Sequence, residues 1–479
     1  MIGRKFEQKR LLEKYKSAQS EFVVVYGRRR VGKTFLVRET LGDKFAFQHT
    51  GHSRGKMAEQ LLYFRDSLED SGWKCPILKT WHDAFRQLQK YLESLPRGRK
   101  VVFIDELPYM ATHKSGCVSA LEHFWNGWAS ARKDIVLIVC GSAASWLLKK
   151  VIGDKGGLHN RVTCKLHLSP FTLEECEKFV SFKRLGYSRR QIAECYMALG
   201  GIPYYWDYLQ KGVSVQRNMD LLFFAEDAGL KTEYEELYRS LFDSPEPYMA
   251  IVSALGESGV ALTREEVSAR AGIPSSGRLS GYLDDLEKCG FIGRFKTFGL
   301  ESNGAVYRLM DNYTLFYFQF VRNNVDGDPR FWSNSLDAGF RRVWVGHAFE
   351  RLCLRHIDQI KAALGIAGVK TSVSTWRHRA DKLCPQGAEI DLVIDRRDDL
   401  INLCEMKFHS GAFVTGAFVI TKKYANELSI KRQVFAAVTG TTKGIHQTFV
   451  TAEGLYENEY AEDVQSSVVL DDLFSSGSR

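Results

Sequence analysis

Residues 22–34 read Phe22-Val23-Val24-Val25-Tyr26-Gly27-Arg28-Arg29-Arg30-Val31-Gly32-Lys33-Thr34, and the fold turns on this stretch. Phe22–Tyr26 is a short run of β-branched and aromatic residues, the pattern of a buried strand. Gly27 to Thr34 matches G-x-x-x-x-G-K-[ST], and the residues from Phe35 onward, FLVRETL, carry apolar side chains at helical spacing. Gly27 and Gly32 permit a curled backbone whose N–H groups converge on phosphate oxygens. The helix that begins near Lys33 adds the positive end of its dipole. Lys33 is placed to reach β- and γ-phosphates, and the Thr34 hydroxyl to coordinate Mg²⁺. Gly27, Arg28, Arg29, Arg30, Val31, Gly32, Lys33, Thr34 and Phe35 are therefore the expected nucleotide contacts.

The second half of such a site lies further along. Val101-Val-Phe-Ile leads into Asp105-Glu106, a buried-strand pattern ending in two carboxylates. Asp105 is expected in the Mg²⁺ shell, and Glu106 is expected to orient or deprotonate the attacking water. Ile135–Cys140 is another apolar strand pattern, followed by Gly141-Ser142. A polar side chain at a strand's carboxyl end faces the ligand crevice of a parallel sheet, which places Ser142 by the γ-phosphate. Arg161, after the Gly-rich stretch 153–157, is a candidate cation for the same phosphate. A helix is expected over Glu7–Tyr15, a strand over Asp43–Gln48 and a helix over Trp81–Leu95. Gly3-Arg4, just before the first helix, is a candidate contact for the base edge. Strand–helix alternation over residues 1–168 predicts an α/β fold with a parallel sheet covered on both faces. The class this defines is the P-loop NTPases.

Length and composition bound the rest. At 479 residues the chain exceeds one ordinary core, so several units are expected. Hydrophobic residues at 44% and charged residues at 26% are those of a water-soluble globular chain. A net charge of +9 leans toward acidic partners, DNA or RNA among them, or toward a simple basic surface. Ten cysteines form no C-x-x-C pair, which fits reduced, buried thiols and a cytoplasmic location. The first residues lack an apolar signal core, and no apolar run reaches membrane-spanning length, so no membrane contact is expected.

From Ser169 the pattern turns helical, with capping boxes at Thr172-Leu-Glu-Glu175 and Ser188-Arg-Arg-Gln191 and a glycine stop at Gly200-Gly201. Residues 169–243 are read as a helical lid. Taken in order, IGRKFE, GRRRVGKT, VVFIDELPYM, CGSAAS and GGIPYYW resemble the archaeal-type P-loop ATPases, related to the STAND class of regulatory NTPases. The resemblance implies ATP as the nucleotide, Pro203 packed near adenine, a winged helix after the lid, and a nuclease-like C-terminal domain.

Residues 244–310 carry that winged-helix pattern. Helices are expected over Met249–Leu255, from Thr263 to Ala271 and over Ser276–Lys288, and wing strands over Phe291–Phe298 and Ala305–Met310. The third helix carries Asp284, Asp285 and Glu287 against Arg278 and Lys288, a poor match for a phosphate backbone. Packing against the ATPase core is the preferred reading of that helix, and DNA contact the other.

Residues 311–479 form the last unit. A helix is expected over Arg341–Ile357, carrying Glu350. Asp391 lies in a strand from Gly387, and Glu405-Met-Lys407 in the next, where the two-residue period puts Glu405 and Lys407 on one face. An acid in one strand and E-x-K in its neighbour resemble the PD-(D/E)xK nuclease superfamily, a restriction-endonuclease-like α/β fold. The resemblance implies that Asp391 and Glu405 share Mg²⁺, that Lys407 polarises the phosphate or water, and that Glu350 orients a metal-bound water. Gln433 is a weaker candidate. The superfamily's proline is replaced by Ile390. The tail 475–479 is expected to be disordered. The expected function is an ATP-hydrolysing switch coupled to a nuclease-like domain. The alternative is a STAND-type signalling or scaffold ATPase, in which that domain only binds a protein partner or a second copy of the chain.

Overall fold

The computed structural model describes the chain except for Arg54, residues 154–156, His159, 300–303, Val325, Asp337, 381–384, 409–415 and 476–479. Most of the Gly-rich stretch 153–157 and the tail beyond Ser475 thus lie outside the described residues.

Five strands, β1 (Glu21–Tyr26), β2 (Phe45–Thr50), β3 (Lys100–Asp105), β4 (Ile135–Gly141) and β5 (Cys164–His167), form an all-parallel sheet of order β2-β3-β4-β1-β5. β3 and β4 are buried along their whole length, as parallel strands covered on both faces must be. Register pairs Tyr26 with Gly141 and Thr50 with Asp105, so the carboxyl ends of β1, β3 and β4 share one rim. One face packs on the helices Met57–Asp70, Trp81–Ser94 and Cys117–Gly127 through Phe64, Trp81, Phe85, Leu88 and Trp125. The other joins a core that runs through the helical segment from Leu173 onward to Phe349, Leu352 and Phe474.

The expected second strand begins at Phe45 because Gly42–Lys44 takes a 3₁₀ turn. Sequence reasoning did not anticipate β5 or the helix Met57–Asp70. The capping boxes at Thr172 and Ser188 are formed as expected, and the helix expected from Thr263 opens on a third, each side chain accepting from the backbone N–H three residues on.

The helices Glu246–Ser258, Arg264–Ala271 and Gly277–Lys288 accompany a small sheet of β6 (Leu262–Thr263, between the first two helices), β7 (Ile292–Lys296) and β8 (Ala305–Leu309), in the order β6-β8-β7. The acidic third helix faces the parallel-sheet part: Lys149 pairs with Asp285 and lies 3.8 Å from Asp284.

The last sheet has the order β13-β12-β11-β10-β9. β9 (Thr371–His378), β10 (Ala388–Arg396) and β11 (Leu400–Lys407) form an antiparallel meander, and β12 (Gly444–Thr451) and β13 (Ser466–Val469) run parallel to β11. The helix Lys422–Thr439 connects β11 to β12, and Gly339–Arg355 precedes the sheet. That helix stops just short of the expected Ile357, because His356 leaves helical geometry before Ile357–Ala363 begins.

Candidate functional sites

At the rim of the parallel sheet, β1 gives way to the glycine loop. Gly27 has φ +151°, and a Cβ there would stand 2.3 Å from the Leu168 carbonyl oxygen. Gly32 has φ +91°, open to glycine and costly for other residues. Lys33 is buried and turned inward, donating to the carbonyls of Gly27 (3.1 Å) and Arg28 (3.0 Å) and to Ser142 Oγ (3.2 Å). Burial holds its ammonium below the ordinary lysine range even with Glu106 and Asp105 nearby.

The expected partners converge on it. Thr34 Oγ1 donates to Asp105 Oδ2 (2.7 Å), and the Glu106 N–H donates to Asp105 Oδ1 (2.9 Å). Ser142 donates twice to Glu106, from its N–H (2.9 Å) and its hydroxyl (2.5 Å). Lys33, Ser142, Glu106, Asp105 and Thr34 are therefore one continuous hydrogen-bonded chain. A hydroxyl beside a buried carboxylate is an oxygen donor pair suited to Mg²⁺. An ammonium held only by neutral carbonyl and hydroxyl oxygens is suited to an anion.

The loop arginines do not all face this chain. Arg28, 5% exposed, pairs with buried Asp311, and its Nε and Nη2 have no hydrogen-bond partner among the described residues. Arg30 pairs with Glu233 (2.7 Å) and lies 4.1 Å over the Tyr204 ring, next to Pro203 at the start of the helix Pro203–Asp207. Arg29 is half-buried, Val31 is buried, and Phe35 projects outward. Arg4 donates to the carbonyls of Ser169 (2.7 Å) and Val31 (3.4 Å), which ties the chain start to the loop.

Arg161 is a correction. Cys164 aligns with Val23 and His167 with Tyr26, so residues before β5 lie at the amino end of the sheet, opposite the glycine loop. Arg161 is exposed there. Five or six strand residues at about 3.3 Å each separate it from Lys33, too far for one arginine to bridge within the chain.

Glu350 and Glu405 are charged neighbours of Asp391. Asp391 lies where the β9–β10 register breaks between Ile390 and Val393, the kind of bulge that re-aims a side chain. Burial, with Glu350 and Glu405 close by, pushes its carboxyl up to about 7. Glu350 is also buried, which raises it, but His347, Arg308 and Arg351 together hold it below the usual range. Lys407 Nζ lies 3.5 Å from Glu405 Oε2. Glu405 is further held by Lys431 (2.5 Å) and by the Tyr424 hydroxyl (2.9 Å).

Gln433 is a second correction. It is exposed, and among the described residues its side chain bonds only to Ser429. Tyr424 and Lys431, seven residues apart, share the helix face toward Glu405, and Gln433 falls on another. That spacing was the available signal. Arg308 and Asp311 were missed because a lone charge in an apolar strand and an N-cap aspartate look unremarkable in sequence.

These residues do not make a ready cation site. Both Glu405 oxygens are engaged, and Arg308 stands 3.5 Å from Glu350. Among the described residues no group of three or more His, Cys, Asp or Glu is disposed to hold a metal ion.

Comparison with known proteins agrees with the first half of the chain. Residues 1–209 match the family described as "ATPase domain predominantly from Archaea". The first part of the chain is thus an archaeal-type ATPase domain built on a parallel five-stranded sheet. An uncharacterized protein of Methanocaldococcus jannaschii, MJECL04, is 25% identical over 404 residues, covering 82% of this chain and 83% of its own. The Walker-type ATPase PABY2304 of Pyrococcus abyssi superposes with a TM-score of 0.48 at 21% identity, over 67% of this chain and 96% of that one. The ORC2 protein of Aeropyrum pernix, in complexes with ADPNP and ADP, gives 0.41 at 13% identity, over 66% and 93%. Among the described residues, no helix is long and apolar enough to cross a membrane.

Proposed function

We propose that the chain is an ATP-binding and ATP-hydrolysing switch whose C-terminal domain acts on nucleic acid. The observation that carries the first part is the bonded chain from Lys33 through Ser142, Glu106 and Asp105 to Thr34. It combines a cation for the phosphates, a carboxylate for the attacking water and oxygen ligands for Mg²⁺. Lys33 leaves the Gly27 and Arg28 carbonyls and grips the phosphate tail. Glu106, aimed by two donors on Ser142, takes the proton of the attacking water. Thr34 and Asp105 would hold Mg²⁺, which when bound supplies positive charge along the phosphates.

Calorimetry with ATP and a phosphate-release assay test this. Lys33→Ala is expected to weaken ATP binding by more than about tenfold, since it removes a charge-assisted contact. Glu106→Gln is expected to keep binding and lower turnover by about 100-fold or more. Turnover unchanged in Glu106→Gln removes the role assigned to it.

For the C-terminal half, the helix–meander–helix–strand order and the convergence of Glu350, Asp391, Glu405 and Lys407 support a PD-(D/E)xK-like fold following a winged helix. The domain limits 1–168, 169–243, 244–310 and 311–479 belong to the same reading. Labelled DNA and RNA, incubated with Mg²⁺ or Mn²⁺ and ATP, are expected to be cut by the natural chain. Asp391→Asn is expected to stop cutting with ATP turnover intact. The tie-up of both Glu405 oxygens favours a second reading, a signalling or scaffold ATPase whose C-terminal fold only binds a partner. ATP turnover with no cleavage of any substrate selects it.

A further inference from the structure

A cavity of about 570 Å³ lies where the helical segment meets the C-terminal unit. Its walls come from the helices Arg189–Leu199 and Val215–Phe223 on one side and from Phe331–Asn334 and Gly339–Arg355 on the other. Met197, Met219, Trp332 and Trp344, all buried, give it an apolar floor, and the two indole rings stand perpendicular, 5.5 Å apart. Leu336 and Arg342, both exposed, mark its mouth. Small-molecule pockets share this build: roughly 300–1,000 Å³, mostly apolar, with a few fixed polar groups.

The charges in the wall are unevenly matched. Glu194 lies 3.8 Å from Arg190, which also holds Glu453 (3.0 Å), so the acid in the wall has its cation. Among the described residues Arg341 has no such partner. Only 8% exposed, it lies 3.8 Å over the Trp332 ring and donates from Nη1 to the Trp332 carbonyl (2.8 Å). Its Nε and Nη2 have no hydrogen-bond partner among the described residues. Glu194 and Asp220 act on it only at longer range, and burial holds its pKa below the ordinary arginine range. Asp220 is itself engaged by the Trp332 and Ser333 N–H groups (2.9 and 3.3 Å). A guanidinium this buried is costly while no anion answers it. Nε and Nη2 form one edge, whose parallel N–H groups match the two oxygens of a carboxylate. Arg342, which forms no ion pair among the described residues, adds a second positive charge at the mouth.

We propose that this cavity binds a small amphipathic carboxylate, its apolar body on Met197, Met219 and the two tryptophans and its carboxylate on the open edge of Arg341. The charge sets the sign of the ligand: a cation would meet Arg341 and Arg342 while the acid Glu194 is already paired. The walls set its body: a fully hydrophilic anion gains nothing from buried indoles and thioethers, whereas an alkyl or aryl group is drawn out of water by them.

The test is calorimetry of the full, nucleotide-free chain with octanoate, its uncharged analogue octanol and its cationic analogue octylamine, with folding checked by circular dichroism. Octanoate is expected to bind at a single site, at least about tenfold more tightly than octanol, and octylamine more weakly still. Arg341→Gln is expected to weaken octanoate by about tenfold or more and to leave octanol unchanged. Val345→Trp, which fills the cavity from its wall, is expected to abolish the binding of both. No octanoate heat, octanol binding as tightly as octanoate, octanoate unmoved in folded Arg341→Gln, or binding that survives Val345→Trp overturns the site. Should Arg341→Gln fail to fold, Arg342→Gln decides: a loss for octanoate with octanol unmoved is expected, and no loss, or an equal loss for both, overturns the assignment. Binding requires neither ATP nor nucleic acid, so failure here leaves the switch reading untouched, and a chain that binds no ATP leaves this site standing.

Discussion

His356 is a base that the fold keeps neutral. Its Nδ1 pairs with the Leu352 carbonyl (2.7 Å), and its Nε2 accepts from the Leu173 N–H (3.1 Å), joining the C-terminal helix to the start of the helical segment. Burial pushes its pKa down from 6.5 to about 4. His49, also buried, is pushed down to about 4 as well. Because the folded value lies below the unfolded one, the stability from neutral histidine is complete above about pH 6.5 and is lost as pH falls toward 4. Protonation also turns Nε2 into a donor facing the Leu173 donor. Over that interval the melting temperature of His356→Gln is expected to fall less steeply than that of the natural chain, the contributions of His49 and of Asp391, whose raised carboxyl acts with the opposite sign, being common to both. An identical slope in the variant assigns the acid sensitivity elsewhere.

Among elements, the junction between β7 and β9 has the clearest mechanical role. β9 is an edge of the C-terminal sheet, and Thr297 bridges to Thr375 beyond the end of β7. The Phe298 N–H donates to the Thr375 carbonyl (2.9 Å), and its ring packs 5.0 Å from Phe435. An exposed strand edge beside apolar side chains recruits other strands. Residues 311–479 expressed alone are therefore expected to run as oligomers in size exclusion with light scattering, and a monodisperse monomer counts against this. The elements themselves were largely legible. Strands β1, β3 and β4 announce themselves as apolar runs, and the capping boxes mark three helix starts by local chemistry alone. β5 was hidden because Cys164-Lys-Leu-His alternates over only four residues. The Lys33, Asp105, Glu106 and Ser142 grouping was readable because each residue ends or follows a strand of one parallel sheet. Arg161 was misplaced because its position depends on the direction and register of the unforeseen β5. Arg308 was invisible for a related reason: its place beside Glu350 depends on which distant element packs against β8.

For the whole molecule, the core shows why boundaries drawn from sequence are blurred. Apolar residues from Val23 to Phe474 form one connected cluster, and Asp311, at the limit drawn between two units, is among the most buried charges of the chain. Its helix-capping contacts to Thr314 (3.1 Å from N–H, 2.6 Å from hydroxyl) hold it rigidly toward Arg28. That rigidity has a thermodynamic corollary. Linkage makes the Arg28–Asp311 pair reciprocal: whatever factor an anion bound at the glycine loop imposes on the hold of Asp311, a disturbance that reaches Asp311 from the far side imposes on the anion's affinity.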